Sequence, residues 1–309
     1  MTFANPRRTV STSGSSGIVR LTPVESCSFC HTPKLARILR LGYCRYMVNS
    51  STNDVEGDVE TNFGFRRVPK SEHAGLVSSV FESVADRYDV MNDLMSGGLH
   101  RLWKQALIDW INPQPGMRLV DVAGGTGDVT FRFLEHLDNS SDDNTAHQAT
   151  ICDPNNAMLK VAQTRALDKG FVRGIEFVEA PAEELPLENR SADVCTISFG
   201  LRNVTDRVAG LAEMHRILDF GGHFFCLEFS PAVAPILAPL YETYSNRILP
   251  WLGEHVAGDR EAYEYLVESI RRFPEPGALI TEMEGAGFSK IQHRTMSGGI
   301  VAIHSGWRL

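Results

Sequence analysis

Three glycines within four positions are the residues of this chain whose types and spacing point most directly to chemistry. Gly124, Gly125 and Gly127 lie in the segment LVDVAGGTG, residues 119–127, where a short apolar run leads into the glycines. Without a Cβ, these residues let the backbone turn sharply and lie against a ligand. When such a loop opens onto a helix, its N–H groups form a ready binding site. The segment is therefore predicted to be a nucleotide-cofactor loop.

The acids around this loop distinguish two classes of cofactor. The dinucleotide fingerprint G-x-G-x-x-G needs a third glycine, and here Gly125 and Gly127 are followed by Thr130. Asp121 and Asp128 flank the loop, and carboxylates repel a pyrophosphate. S-adenosylmethionine lacks a phosphate and carries an ammonium and a sulfonium group, which favour nearby carboxylates. The residues thus favour S-adenosylmethionine.

A further carboxylate follows the next apolar run. After a polar stretch, residues 137–148, the run ATIC ends at Asp153. An acid at the end of a second parallel strand can hydrogen-bond ribose hydroxyls. Because any α/β protein can end a strand in Asp, this residue supports a cofactor site only together with the glycine loop.

Apolar runs and helical patterns alternate through the body of the chain. Strand candidates lie at residues 119–123, 149–152, 174–178, 193–199 and 223–229. Leu211, Met214 and Leu218, spaced three and four apart, mark one buried helix face between them. Such alternation predicts a doubly wound parallel sheet with right-handed crossovers. Ligands then bind at the carboxyl ends of the strands.

Extra elements are predicted at both ends of this series. Helices are expected from about residue 70 up to the glycine loop. Helical patterns near 259–286 are followed by two strand candidates, 288–294 and 300–305, separated by Ser-Gly-Gly. The predicted fold class is α/β, a Rossmann-like, mostly parallel sheet with N-terminal helices and a C-terminal antiparallel hairpin.

Length and composition allow one large domain plus an extension. The chain has 309 residues, 43% of them hydrophobic, which is enough for one sizeable core. No apolar run approaches the roughly 20 residues of a membrane-spanning helix. The formal net charge is -8, which argues against nucleic acid as a partner. The histidines show no HExxH or similar spacing, so no metal site is predicted.

Residues 1–53 differ in composition from the rest. They contain seven Lys or Arg residues, many serines and a single acid, Glu25. This composition is typical of an organelle transit peptide, with a disordered tail as the alternative. We therefore predict a leader over residues 1–53 and a catalytic domain over residues 54–309.

Several blocks of sequence resemble one known family. They are YDVMNDLMS (88–96), which continues to HRLWK (100–104), ISFGLRNV (197–204) and YLVESI (265–270). Together they resemble the ubiquinone/menaquinone biosynthesis C-methyltransferases over about residues 63–309. The resemblance implies a class I methyltransferase fold with S-adenosylmethionine as methyl donor. The basic leader favours the mitochondrial branch of this family. That branch implies methylation of the ring of 2-methoxy-6-polyprenyl-1,4-benzoquinol.

The resemblance also implies which residues bind the cofactor. They are Asp121, Gly124, Gly125 and Thr126 at the loop, Asp153 at the ribose, Pro181 and Ala182 near the adenine, and Ser198 after the fourth strand. The family commonly has Asn or Asp where this chain has Pro181, and proline offers neither that side chain nor a backbone N–H. Losing one such hydrogen bond costs about 1 kcal/mol. Weaker but retained cofactor binding is therefore expected.

Methylation of a ring carbon makes its own demands. The carbon becomes nucleophilic when a ring hydroxyl is deprotonated, so the site needs a proton acceptor and a group that holds the phenolate. Arg202 and Asn203 are the first candidates to hold the oxyanion or order a water, since a guanidinium hardly deprotonates. Tyr88 is expected to line the ring pocket. The alternatives are an ion pair of Arg202 with Asp206 or Asp193, and an ordinary helix-face position for Tyr88.

An apolar, proline-punctuated segment, residues 231–252, is expected to contact a polyprenyl chain as a lid or a membrane-facing surface. A helix that covers a sheet edge is the alternative. The resemblance further implies peripheral association with the matrix side of the mitochondrial inner membrane, a multi-subunit complex with other ubiquinone-biosynthesis proteins, and a homodimer. Two other functions stay open: methylation of a demethylmenaquinol, and a weakly catalytic scaffold subunit, which the Pro181 change would permit.

Overall fold

Neighbouring residues of the central strands are buried on opposite faces of one sheet. Leu119 and Val194 belong to one hydrophobic cluster, whereas the residues that follow them, Val120 and Cys195, belong to a second. Successive side chains of a strand point to opposite faces. Strands that are apolar at consecutive positions therefore need helices on both sides of the sheet.

The computed structural model describes residues 59–84, 88–140, 148–235, 237, 239, 243–244 and 260–309, without the side chains of 83–84, 88–89, 138–140 and 260–261. The strands are β1 (Glu60–Phe63), β2 (Arg66–Pro69), β3 (Arg118–Val122), β4 (Gln148–Asp153), β5 (Ile175–Glu179), β6 (Ala192–Ser198), β7 (Leu218–Phe229), β8 (Ser289–Met296) and β9 (Val301–Trp307). The helices are α1 (Lys70–Val84), α2 (Tyr88–Ser96), α3 (His100–Ile111), α4 (Asp128–Ser140), α5 (Asn156–Asp168), α6 (Arg207–Ile217), α7 (Arg260–Arg272) and α8 (Pro276–Gly285). Short 3-10 turns span Leu201–Asn203 and Ser297–Gly299.

Seven strands form the central sheet in the order β5-β4-β3-β6-β7-β9-β8. Strands β3 to β7 are parallel, and β9 runs antiparallel to both β7 and β8. The chain proceeds from β3 outward to β5 and then returns to the other side of β3 with β6. At such a switch point the carboxyl ends of the strands leave a crevice for a ligand. The predicted doubly wound sheet with its C-terminal antiparallel hairpin is confirmed.

Strand β7 begins earlier than the apolar pattern predicted. Leu218, which we placed on a helix face with Leu211 and Met214, is the first residue of β7, because α6 ends at Ile217. Its side chain is nevertheless fully buried in the same hydrophobic cluster as the α6 residues. Burial in a shared cluster explains why its spacing looked helical.

A β-hairpin precedes the first helix and was not predicted. Strands β1 and β2 pair antiparallel around Gly64, which has a φ of 58°. The Phe65 N–H donates to Glu268 Oε2 at 2.8 Å, and the Phe63 ring stacks on Tyr265 with ring centroids 4.3 Å apart. Both partners lie on α7, near the other end of the chain. Local sequence patterns could not indicate such distant contacts.

Candidate active site

A cavity opens at the carboxyl ends of the parallel strands, at the switch point of the sheet. The empty space inside it, including the open mouth, is about 770 Å³. It is lined by Ala74, Val77, Ser78 and Phe81 of α1, Ala123 and Gly125 after β3, Asp153–Asn155 and Met158 after β4, Pro181–Glu183 after β5, and Phe199, Gly200 and Asn203–Thr205 after β6.

The glycine loop after β3 adopts a tight, left-handed path. Ala123, Gly125 and Gly127 have φ values of 50°, 54° and 80°. The Gly124 N–H donates to the Cys152 carbonyl at 3.1 Å. A Cβ added at Gly124 would lie 2.9 Å from Cγ2 of Ile151. The loop therefore lies directly against β4, and of its glycines Gly125 faces the cavity.

The turn at Gly127 leads to a prediction about stability. A Cβ there would lie 2.8 Å from Cε2 of Phe131, in addition to the unfavourable φ of 80°. We expect Gly127→Ala to lower the free energy of unfolding by about 2–4 kcal/mol. In the control Gly170→Ala, φ is 84° and no described atom lies within 4 Å of the added Cβ, so backbone strain alone should cost about 1 kcal/mol. Urea unfolding measures both variants, and equal losses would contradict the clash with Phe131.

Asp153 is the central carboxylate of the cavity. It ends β4, lines the cavity and is only 7% exposed. Its Oδ2 accepts a hydrogen bond from the Gly125 N–H at 2.9 Å, and its Oδ1 accepts one from the Asn155 N–H at 2.8 Å. Each carboxylate oxygen can accept a further bond. Burial raises the pKa of Asp153 to about 6, although the two N–H donors oppose the rise.

Two predicted cofactor residues do not line the cavity among the described residues. Asp121 is 1% exposed and accepts hydrogen bonds from the hydroxyls of Thr130 at 2.9 Å and Thr196 at 2.7 Å. Burial raises its pKa to about 6. The Thr126 hydroxyl accepts from Arg165 Nη1 of α5 at 3.1 Å. Asp121 thus supports the loop from within β3, and Thr126 attaches the loop to α5.

The turn after β5 carries the predicted adenine residues. Pro181 and Ala182 both line the cavity. The neighbouring Glu183 accepts a hydrogen bond from the Asp206 N–H through Oε1 at 3.0 Å. The Ala180 N–H donates to the Asp153 carbonyl at 3.3 Å. The turn is thereby fixed both to the end of β4 and to the loop after β6.

Helix α1 forms a wall of the cavity that sequence reasoning missed. Its His73 Nδ1 lies 2.8 Å from the Thr205 hydroxyl, and its Lys70 Nζ lies 3.0 Å from Asp206 Oδ2. Its Ser78 carbonyl accepts from Asn155 Nδ2 at 3.3 Å. These contacts attach α1 to the ends of two strands far away in sequence. No spacing within α1 itself could have revealed them.

Arg202 lies in a buried ion pair, and it is not among the described residues that line the cavity. Its side chain is 3% exposed and that of Glu228, in β7, is 1% exposed. Arg202 Nη1 donates to Glu228 Oε1 at 2.7 Å and to the Phe199 carbonyl at 2.5 Å. Sequence reasoning missed Glu228, although a lone acid inside the apolar strand FFCLEF was a usable signal.

The alternative partners of Arg202 were wrong. Asp206 pairs with Lys70 at 3.0 Å, and Asp193 pairs with Arg118 at 2.8 Å. Both carboxylates thus have other basic partners, and the acid that binds Arg202 comes from the neighbouring strand.

Asn203 lines the cavity, and a buried tyrosine orients its amide group. Its Oδ1 accepts a hydrogen bond from the Tyr265 hydroxyl at 3.0 Å. Burial raises the pKa of Tyr265, so that the hydroxyl stays protonated as a donor. In the part of the chain that the structure describes, the Asn203 Nδ2 group has no acceptor, so it can donate to a ligand. Tyr88 begins α2, and its side chain lies outside the described part of the chain.

The turns after β3 and β6 touch each other. Ala123 and Phe199 are the first residues after these neighbouring strands, and both have positive φ, 50° and 56°. A Cβ added at Gly200 would lie 2.6 Å from the Ala123 Cβ. The glycine at position 200 therefore permits direct contact between the two turns. Ser198, the last residue of β6, does not line the cavity among the described residues, and its buried Oγ has no hydrogen-bond partner there.

The apolar segment predicted to be a lid is described only in part. The Ala234 N–H donates to the Gly298 carbonyl at 2.8 Å, and the Tyr244 hydroxyl donates to the Leu94 carbonyl. Most of residues 236–259 lies outside the described residues, so contact with a polyprenyl chain stays a prediction. The leader, residues 1–53, also lies outside them.

Comparisons with known proteins agree with this geometry. A model of the ubiE/COQ5 methyltransferase family matches residues 67–308. The chain is 48% identical over 276 residues to a mitochondrial 2-methoxy-6-polyprenyl-1,4-benzoquinol methylase of Danio rerio, covering 81% of this chain and 84% of the relative. It is 54% identical over 254 residues to a ubiquinone/menaquinone biosynthesis C-methyltransferase UbiE of Methylobacterium nodulans, covering 82% of this chain and 98% of the relative.

A solved structure supports the fold. An S-adenosylmethionine-dependent methyltransferase from Thermotoga maritima superposes with a TM-score of 0.53 at 18% identity, covering 75% of this chain and 99% of that chain. At this identity the likeness shows the fold alone. The family model and the two relatives carry the assignment: the chain belongs to the ubiE/COQ5 methyltransferase family.

Proposed function

We propose that this protein is an S-adenosylmethionine-dependent C-methyltransferase that methylates the ring of 2-methoxy-6-polyprenyl-1,4-benzoquinol in ubiquinone biosynthesis. One observation carries the proposal: the glycine loop, Asp153 and Asn203 converge on a single cavity at the carboxyl ends of adjacent parallel strands. Membership of the family and the name of the Danio rerio relative support the same activity.

The residues of the cavity suit S-adenosylmethionine. Asp153 keeps acceptor capacity on both oxygens for ribose hydroxyls, and Gly125 brings the backbone to the cavity without a Cβ. Pro181 and Ala182 offer apolar surface to an adenine ring. When bound, the cofactor supplies an electrophilic methyl group on a positively charged sulfur.

The other half of the site must hold the quinol. In the proposal, Asn203 Nδ2 and the Arg202 guanidinium hold a ring oxygen as it loses its proton, which raises the electron density at the ring carbon. Donors fixed before the reaction stabilise this developing charge without reorganisation. The precise alignment of carbon and methyl group then sets the rate.

Cofactor binding should depend on pH through Asp153. The pKa of about 6 belongs to the buried carboxyl, and a ribose hydroxyl donates best to its ionised form. Above about pH 7 the carboxylate is almost fully ionised, so the affinity should be constant. As the pH falls below 6 the affinity should drop by up to about tenfold per pH unit, because the carboxyl must first lose a proton.

Titration calorimetry from pH 5 to pH 8 would measure this dependence, together with proton release near pH 6. In Asp153→Asn the dependence should largely vanish, and any remainder would belong to Asp121, whose pKa burial also raises to about 6. Constant affinity of the wild type across the range would refute the role of an ionised Asp153.

The reaction itself is tested with the full chain, methyl-deuterated S-adenosylmethionine and the reduced quinol, followed by mass spectrometry of the lipid. We expect the labelled methyl group on the ring. A demethylmenaquinol assayed in parallel distinguishes the two quinol classes. Cofactor binding without methylation of either quinol would favour a scaffold role.

The cellular setting belongs to the same proposal. The basic composition of residues 1–53 supports a leader that ends near residue 53. Together with the mitochondrial name of the Danio rerio relative, it supports delivery to the mitochondrion. The proposal includes peripheral association with the matrix side of the inner membrane. Among the described residues, no helix is both long enough and apolar enough to cross a bilayer. A complex with other ubiquinone-biosynthesis proteins and a homodimer stay predictions from the resemblance.

A further inference from the structure

Glu228 makes more contacts to the Arg202 turn than an ordinary ion pair would need. Its Oε1 accepts from Arg202 Nη1 at 2.7 Å and from the Phe229 N–H at 2.9 Å. Its Oε2 lies 3.3 Å from the Arg202 N–H, which also donates to it. One carboxylate thus binds both the backbone and the side chain of Arg202, and it is itself anchored to β7.

The remaining donors of Arg202 are unevenly used. Nη1 has two acceptors, Glu228 and the Phe199 carbonyl. Nε is buried and has no hydrogen-bond partner among the described residues. A buried donor without an acceptor is rare in native proteins. The Ser198 hydroxyl, in the residue next to Phe199, is likewise buried without a partner. Both groups belong to the segment 198–203, of which Phe199, Gly200 and Asn203 line the cavity, so a ligand bound there can complete them.

We infer that Glu228 is a positioning residue of the methyltransferase: it fixes the Arg202 guanidinium so that Nε remains available to a quinol oxygen. This inference rests on the proposed function. Glu228 itself contacts no substrate in this scheme and acts only through Arg202. The position of the oxyanion donor, Arg202, then depends on a carboxylate of β7 as well as on the turn that contains Arg202.

The pair also sets the charge of the site. A buried guanidinium without Glu228 would be a full cation beside the quinol and would lower the pKa of its hydroxyl strongly. Paired with Glu228, it offers a hydrogen-bond donor with little net charge. Removal of the Glu228 charge should therefore misplace the donor and, at the same time, make the surroundings of the quinol more positive.

A double-mutant cycle on the full chain tests the inference. Glu228→Gln should lower kcat about 100-fold, because misplaced groups lose alignment, with the KM for S-adenosylmethionine changed less than about threefold. The acid limb of its kcat–pH profile should move to lower pH by about one unit. In Arg202→Gln, the additional change Glu228→Gln should leave kcat within about threefold, since Glu228 acts only through Arg202.

Asp193→Asn is the matched control. It removes the negative charge of another Arg–carboxylate pair, Asp193 with Arg118, which lies at the opposite end of β3 and β6. Its kcat and pH profile should match those of the wild type. The inference is wrong if the losses of kcat in Arg202→Gln and Glu228→Gln multiply in the double variant. It is also wrong if the acid limb of the kcat–pH profile of Glu228→Gln stays at the wild-type pH.

Failure of the proposed function remains distinguishable. If the wild type methylates no quinol, the proposed function fails, and NMR of the arginine Nε–H groups decides the positioning claim. The Arg202 Nε–H signal, assigned by its loss in Arg202→Gln, should exchange slowly with solvent in the wild type and rapidly in Glu228→Gln. Equal exchange in both proteins would show that Glu228 does not fix the guanidinium.

Discussion

Asp153→Asn is expected to weaken the binding of S-adenosylmethionine by about 100-fold, since hydrogen bonds to a charged group contribute about 1.5–3 kcal/mol. The wild-type carboxylate uses one oxygen for the Gly125 N–H and the other for the Asn155 N–H. Asparagine offers a single acceptor oxygen, so its NH₂ group must face one of these donors. The variant therefore both loses the acceptors for ribose and distorts the glycine loop.

Titration calorimetry of the full chain measures this loss. Glu179→Gln is the matched control, because Glu179 ends the adjacent strand β5 at the same edge of the sheet but is exposed and does not line the cavity among the described residues. Its affinity should stay within about twofold of the wild type. If both variants lost a similar amount of affinity, the negative charge at this edge of the sheet, and not the geometry of Asp153, would attract the cofactor.

Lys104→Met is expected to lower the free energy of unfolding by about 2–3 kcal/mol, since breaking a buried ion pair leaves a charge without its partner. The Lys104 side chain is 7% exposed, and its Nζ lies 2.8 Å from Asp128 Oδ2. In the variant, Asp128 keeps its ion pair with Arg132, whose Nε lies 3.0 Å from it, and its side chain is 28% exposed. The expected loss of stability therefore lies at the lower end of the range for broken buried ion pairs. The ion pair joins α3 to the start of α4, directly after the glycine loop.

The loss in Lys104→Met should depend on pH. Lys104 and Arg132 lower the pKa of Asp128 to about 2, against the effect of its burial. A carboxyl with a depressed pKa in the folded state stabilises the protein above about pH 4, and this contribution disappears as the pH falls towards 2. The difference between Lys104→Met and the wild type should therefore be full at pH 7 and should shrink below pH 4.

Denaturant unfolding at several pH values provides the measurement. Lys169→Met is the matched control, because Lys169 pairs with Glu135 of α4 at 2.6 Å while both side chains are about half exposed. Such surface pairs contribute about 0–1 kcal/mol. If Lys169→Met lost as much stability as Lys104→Met, burial would not be the reason for the effect.

The fold could be predicted from the sequence because its signals are local. Consecutive apolar residues such as Leu119 and Val120 indicate strands covered on both faces, and the Ser-Gly-Gly segment at 297–299 separated the last two strands correctly. The β1–β2 hairpin escaped because Glu268 and Tyr265 of α7 hold it. Contacts between opposite ends of a chain leave no periodicity for a local pattern to detect.

The candidate site was predictable where residues directly follow strands. Gly125, Asp153 and Asn203 all follow or end parallel strands, and the structure brings them to one cavity. The acids at the loop were harder to interpret, because position in sequence does not reveal what a side chain faces. Asp121 bonds two threonine hydroxyls behind the loop, and Asp128 pairs with Lys104.

Direct contact between the turns after β3 and β6 has a consequence for methyl transfer. Val122 and Ile197 are paired in register on adjacent parallel strands, and such strands lie about 4.8 Å apart. In the proposed function, the turn after β3 serves the methyl donor and the turn after β6 serves the acceptor. The separation of the donor side and the acceptor side of the site is then set at its base by the spacing of adjacent strands, which side-chain rotation does not change.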